Sequence, residues 1–140
     1  MLATGFHVSL SHHRAWRAVA VSADGPVGVD VLTVPDDADF IDDTALVLSP
    51  EEIAWVRSHA RAQHGAAFAE CWTRKEAYAK LHRTGLIAGL PTLTFRPYPV
   101  ADRDVAFWTT RVEDAFVAMA AAGALMPPVR LHRRADSLVV

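Results

Sequence analysis

Glu76 and Lys80 stand four residues apart in the run Trp72-Thr73-Arg74-Lys75-Glu76-Ala77-Tyr78-Ala79-Lys80. On a helix that spacing puts them on one side, one turn apart, with Trp72 a turn earlier. Spacing alone is equally compatible with a surface Glu–Lys pair, which contributes only about 0.2–0.5 kcal/mol. A second acid, Asp30, lies inside Val27-Gly28-Val29-Asp30-Val31. A strand buried on both faces should not hold a carboxylate unless something pairs with it. The plainer alternative is a strand-end Asp that caps the next turn. A third fragment, Ser9-Leu10-Ser11-His12-His13, sits at an expected strand end. A His there can donate to a phosphate, or can be an ordinary satisfied polar residue. Charge is also unevenly spread. Asp36 to Glu52 holds seven acids and no Lys or Arg, whereas Arg57 to Arg83 holds six Lys/Arg, three His and only two acids. That is either plain helix surface or a basic face for an acidic partner or a phosphorylated ligand.

These residues need elements to hold them. Phe6 to Ser11 alternates and reads as a strand, as does Arg14 to Ser22. Ala23-Asp24-Gly25-Pro26 is a turn by its chemistry, and Val27 to Val34 is a third strand ended by Pro35. Ser49-Pro50-Glu51-Glu52 starts a helix: Ser49 caps, Pro50 fits the first turn and Glu52 completes a capping box. The pattern carries that helix to about Gln63. Gly65 is read as a break, followed by a second helix from Ala66 to His82 that Gly85 closes. Strands are expected at Thr92 to Arg96, Asp104 to Val112 and Ala115 to Ala122, with Glu113-Asp114 linking the last two. The tail from Pro127 gives no clear pattern. Strands, helices and strands again make an α+β fold, a mainly antiparallel sheet packed against helices.

The composition bounds the rest. A chain of 140 residues, 51% of them apolar, suits one domain, 1–140, with one core. The formal charge of −2 argues against nucleic acid as a bulk electrostatic partner. No apolar stretch is long enough to span a bilayer, so no membrane partner is expected. No basic region followed by an apolar run opens the chain, so no secretion signal is expected. Cys71 is the single cysteine, so no internal disulfide can form; a cytoplasmic setting and a buried apolar thiol are expected.

In this order and spacing, His-Val-Ser-Leu-Ser-His, Val-Gly-Val-Asp and Trp-Thr-Arg-Lys-Glu-Ala-Tyr-Ala-Lys resemble the 4′-phosphopantetheinyl transferases of the surfactin-synthetase-activating type. The resemblance runs over roughly Phe6 to Ala122 and includes Thr84-Gly85-Leu86. It implies a single 4′-phosphopantetheinyl transferase-like lobe. It also implies Mg²⁺-dependent transfer of 4′-phosphopantetheine from coenzyme A to a serine of an acyl- or peptidyl-carrier protein. Asp30 resembles the strand carboxylate that holds the metal, and Glu76 the helical carboxylate that completes the site and takes the proton from the nucleophile. Lys80 resembles the phosphate contact on the same helix and Lys75 the motif lysine near the active site. Ser11 and His12 resemble the pair that contacts coenzyme A phosphates.

Two features depart from the pattern. The larger enzymes carry a second acid two residues after the strand Asp, where this chain has Leu32. The short holo-acyl-carrier-protein synthases also tend to be apolar there. The larger enzymes also join two similar halves around coenzyme A, and this chain resembles the second half with the strand that joins it to the first. The resemblance therefore implies a homo-oligomer, dimer or trimer, or a partner that supplies the missing lobe. A catalytically degenerate homologue, binding a carrier protein or coenzyme A without transfer, stays open as the alternative.

Overall fold

The computed structural model describes residues 5–36, 46–84, 92–95, 104–123, 129, 132–134 and 137–139. Strand β1 (His7–His13) turns through Arg14, which adopts a left-handed φ of 52°, into β2 (Trp16–Ser22). Strand β3 (Val27–Thr33) follows. Helices α1 (Pro50–Arg57) and α2 (His64–His82) come next, separated by a 3-10 turn at Arg61–Gln63. The chain closes with β4 (Val105–Val112), β5 (Ala115–Ala122), β6 (His132–Arg134) and β7 (Ser137–Val139). The strands form two sheets where the sequence led us to expect one. The first runs β1-β2-β7-β6 and the second β3-β5-β4. All pairs are antiparallel except β2 with β7.

Strand periodicity sorts the core into layers. On β3, Val27, Val29 and Val31 face the first sheet and pack with Ala18, Ala20, Val117 and Met119. The alternate residues Gly28, Asp30 and Leu32 therefore face the other way, toward α2. On that side Ala118 and Ala120 of β5 pack with Ala77 and Leu81. Gly28 lets the helix sit directly on the strand: a Cβ there would collide with the Ala77 carbonyl oxygen and lie 2.6 Å from the Leu81 amide nitrogen. α1 covers the far side of α2, where Leu48, Val56, Ala67 and Cys71 form a third cluster. The Cys71 thiol is buried there, as expected, and burial pushes its pKa well above the usual thiol range.

β1 lies beside the free edge of β3 without backbone pairing. Ser9 Oγ, Ser11 Oγ and His13 Nδ1 accept from the amides of Val29, Val31 and Thr33 at 3.0, 3.2 and 3.1 Å. Side chains with period 2 thus satisfy an edge that would otherwise expose unpaired donors.

The helix boundaries differ from expectation for local reasons. The capping box of α1 forms on both sides, Glu52 N–H to Ser49 Oγ and Ser49 N–H to Glu52 Oε2. That helix stops at Arg57, short of Gln63. Ser58 Oγ donates to Trp55 O at 2.6 Å, and His59 Nδ1 lies 2.8 Å from the same carbonyl, so side chains take up the last turn's acceptor. Gly65 does not break a helix; it lies buried in the first turn of α2, where a Cβ would come 2.5 Å from Pro35 O. α2 ends on Arg83, left-handed at φ 56°, with Thr84 N–H closing on Ala79 O at 3.0 Å. Gly85, expected to close it, lies outside the described residues, as does Arg96. Residues 92–95 form no strand. They dock by polar bonds on α1: Phe95 N–H to Glu52 Oε1 at 2.7 Å and Thr94 Oγ1 to Ser49 Oγ at 2.9 Å. Among the described residues no helix is long and apolar enough to cross a membrane.

Candidate functional site

Where α2 crosses β3, the sequence places a buried acid opposite a cation. Asp30 is buried between strand and helix. Its register partner on β5 is Ala118, whose small side chain leaves room on that face. Lys80 Nζ donates to Asp30 Oδ1 at 2.8 Å and to Val29 O at 3.0 Å. Ser11 Oγ donates to the same Oδ1 at 2.7 Å. Burial pushes the Asp30 pKa above the usual carboxylate range, and the charge and hydrogen bonds of Lys80 and Ser11 act against that rise.

Glu76 joins this cluster from one turn earlier on α2. Burial raises its pKa, the Asp30 charge raises it further, and Lys80 opposes both. The two carboxylates are thus within electrostatic reach of each other. Glu76 Oε1 is buried and accepts no hydrogen bond. A buried carboxylate oxygen without a donor is costly, and two carboxylates share one lysine here. The site is short of positive charge, and a hard cation with oxygen ligands would supply it. Among the described residues no group of three or more potential ligands gathers, so these two acids are the protein's offer.

The structure thus brings together Asp30, Glu76, Lys80 and Ser11. It does not bring in His12, which lies on the opposite, exposed face of β1 across from Arg17. Ser11 and His12 are neighbours in sequence, and strand alternation sends them to opposite sides. Lys75 is also elsewhere. It is fully buried, paired with Glu52 Oε2 at 2.8 Å and donating to Leu93 O at 2.7 Å. Burial lowers its pKa, with the hydrogen bond and charge of Glu52 opposing.

Sequence reasoning did not find the groove beside Lys80. A cavity of about 400 Å³ opens there, lined by His7, Ser9, Leu10, Lys80, Leu81 and Arg83 among others. Its basic residues come from the start of β1 and the end of α2, and only the basic bias after Arg57 hinted at it. A second feature is the outer face of the first sheet. Phe6, Val8, Leu10 and Val21 are 72%, 57%, 65% and 52% exposed, a contiguous apolar strip rather than scattered single residues.

Comparison with known proteins shows the family. A family model described as the 4′-phosphopantetheinyl transferase superfamily matches residues 26–118, which include Asp30, Glu76 and Lys80 and leave out β1. The 4′-phosphopantetheinyl transferase psf-1 of Bacillus pumilus is 34% identical over 92 residues, 65% of this chain and 38% of that protein. The chain thus matches well under half the length of this curated relative.

Proposed function

The chain belongs to the 4′-phosphopantetheinyl transferase superfamily, and on that premise we propose that it moves 4′-phosphopantetheine from coenzyme A to a serine of an acyl- or peptidyl-carrier protein in the cytoplasm. The observation that carries this reading is the buried Asp30–Lys80–Ser11 cluster with the orphaned Glu76 oxygen beside it. Asp30 and Glu76 fit Mg²⁺, a cation that takes one or two carboxylates and completes its shell with water and substrate phosphate. When bound, Mg²⁺ would neutralise charge on the pyrophosphate.

The chain's own groups divide the remaining work. Ser11 and Lys80 hold Asp30 in place. Lys80 stands between the carboxylates and the groove, so its ammonium can shift from Asp30 to a phosphate oxygen as charge builds. Lys80 and Arg83 make the groove cationic, which suits the phosphates of coenzyme A. Glu76 Oε1 accepts no hydrogen bond from the protein, which leaves it able to accept a proton. It takes the serine proton as the serine oxygen attacks the β-phosphorus. The phosphorus–oxygen bond to the nucleotide breaks, and 3′,5′-ADP leaves.

The reading includes a partner on the apolar strip, a second or third copy of this chain or a protein that supplies another lobe. The observation that supports it is the strip's exposure. A partner there would also enclose His12, giving it a phosphate to contact.

The test is purified protein with coenzyme A, Mg²⁺ and an apo carrier protein, read by intact mass. The carrier should gain one phosphopantetheine, and Asp30→Ala and Glu76→Ala should abolish the gain. Coenzyme A binding without any mass gain, with or without a second copy bound, would replace this reading by the non-transferring one.

A further inference from the structure

The lysine beside Glu76 has the wrong surroundings for a ligand contact. The Lys75 and Glu52 side chains are both fully buried, with Nζ and Oε2 at 2.8 Å. Glu52 is saturated: it accepts from Ser49 N–H at 3.0 Å, from Phe95 N–H at 2.7 Å and from Lys75. Lys75 also donates to Leu93 O. One ion pair thus ties three pieces of chain together: the start of α1, the middle of α2 and the segment 92–95. A buried pair is seldom the most stabilising way to hold helices together, because two charges must leave water. What it adds is a fixed direction. α2 is gripped on the β4 side by Arg74 Nε on Thr109 Oγ1 at 2.8 Å and on the β3 side by Lys80 on Asp30. Lys75–Glu52 is the grip on the α1 side, one residue from Glu76.

We propose that Lys75 and Glu52 are a positioning pair: they set the rotation of α2 that aims Glu76 at Asp30, and Lys75 does not touch coenzyme A. This rests on the transfer reading above for its kinetic arm and on the structure alone for its stability arm.

The experiment is a cycle of Lys75→Met, Glu52→Gln and the double variant. Each single change strands one buried charge or leaves its partner's donors unmet, and should lower the melting temperature by about 10–20 °C. The double variant carries no buried charge at this pair. The glutamine introduced by Glu52→Gln has one amide oxygen where the carboxylate had two, so it can complete the capping box or accept from Phe95 N–H but not both. Part of the lost melting temperature, the share due to a stranded charge, should therefore return. In the folded double variant kcat should fall about tenfold or more, because Glu76 is no longer aimed, while KM for coenzyme A stays within about threefold of wild type. Three results would overturn the proposal: single variants as stable as wild type, a folded double variant with full kcat, or a KM for coenzyme A raised tenfold with kcat retained. The last would make Lys75 a ligand contact. A wild-type protein that transfers nothing would sink the transfer reading separately. The melting cycle, with Mg²⁺ binding by calorimetry expected to weaken in the folded double variant, would then decide the pair.

Discussion

Replacing Gly28 with alanine adds one methyl group at the point where β3 meets α2. The new Cβ collides with the Ala77 carbonyl oxygen and stands 2.6 Å from the Leu81 amide nitrogen. Both are backbone atoms, so no rotamer change relieves the clash. Restoring a normal contact of about 3.5 Å requires the helix to withdraw by roughly 1 Å at Leu81 and by more at Ala77. Overpacking of this kind costs about 1–3 kcal/mol, or about 3–12 °C of melting temperature in a chain of this size. Lys80 rides on the same turn as Leu81. Its 2.8 Å bond to Asp30 would stretch toward about 3.8 Å, outside hydrogen-bonding range. A misplacement of that size costs about 100-fold in rate, although no chemical group has been removed. Gly5→Ala is the control, since nothing lies within 4 Å of a Cβ there. Melting curves and the carrier-protein mass assay read both variants. A Gly28→Ala protein that melts with wild type and transfers at the wild-type rate would show that the helix does not rest on the strand at Ala77, and the account of the site would fall with it.

Leu32→Glu should lower the Mg²⁺ concentration needed for transfer, because Leu32 shares the α2-facing side of β3 with Asp30; a folded variant by circular dichroism with unchanged Mg²⁺ dependence would remove position 32 from the metal's surroundings. Asp30 and Glu76 both have folded pKa values above their unfolded ones. Their contribution to stability is therefore fully present below the ordinary carboxylate value and lost as pH rises through the raised values. Metal-free protein should melt higher as pH falls through that window, and Glu76→Gln should flatten the dependence; an equally steep slope in that variant would exclude Glu76 as a source. Sedimentation at micromolar concentration should show a dimer or trimer, and Leu10→Asp should dissociate it without unfolding, since Leu10 is 65% exposed. A monomeric wild type would show that no second copy covers the strip.

What the sequence made legible was local or carried by a contiguous motif. Strand β1 followed from alternation, β2 and β3 from runs rich in Val and other small or β-branched residues, β4 and β5 from the two runs around Glu113-Asp114, and the capping box from Ser49 and Glu52, three residues apart. Asp30 stood out because a carboxylate in an apolar strand demands a partner; Lys80 stood out by its spacing from Glu76 and by the motif, as a phosphate contact and not as that partner. The remainder depended on groups far apart in the chain. Nothing near Lys75 announces that Glu52, on another helix, will bury it. His7 and Arg83 become neighbours of one groove only after β1 and the end of α2 are brought together. The division into two sheets turns on β1 meeting β3 through side chains rather than backbone, and the parallel pairing of β7 with β2 lies in a tail that gave no pattern. Arg83 at a left-handed helix end escaped notice because glycine is the residue usually sought there.

The side-chain ladder between β1 and β3 bears on how this protein breathes. The amides of Val29, Val31 and Thr33 are held by two hydroxyls and an imidazole instead of by carbonyls of a neighbouring strand. Side chains can let go one at a time by turning about χ1, whereas a backbone ladder opens cooperatively. The seam flanking Asp30 can therefore part locally while each sheet keeps its own hydrogen bonds. Hydrogen exchange at these three amides would then report small openings of the seam, well below the free energy of global unfolding, on the very strand that holds the buried acid.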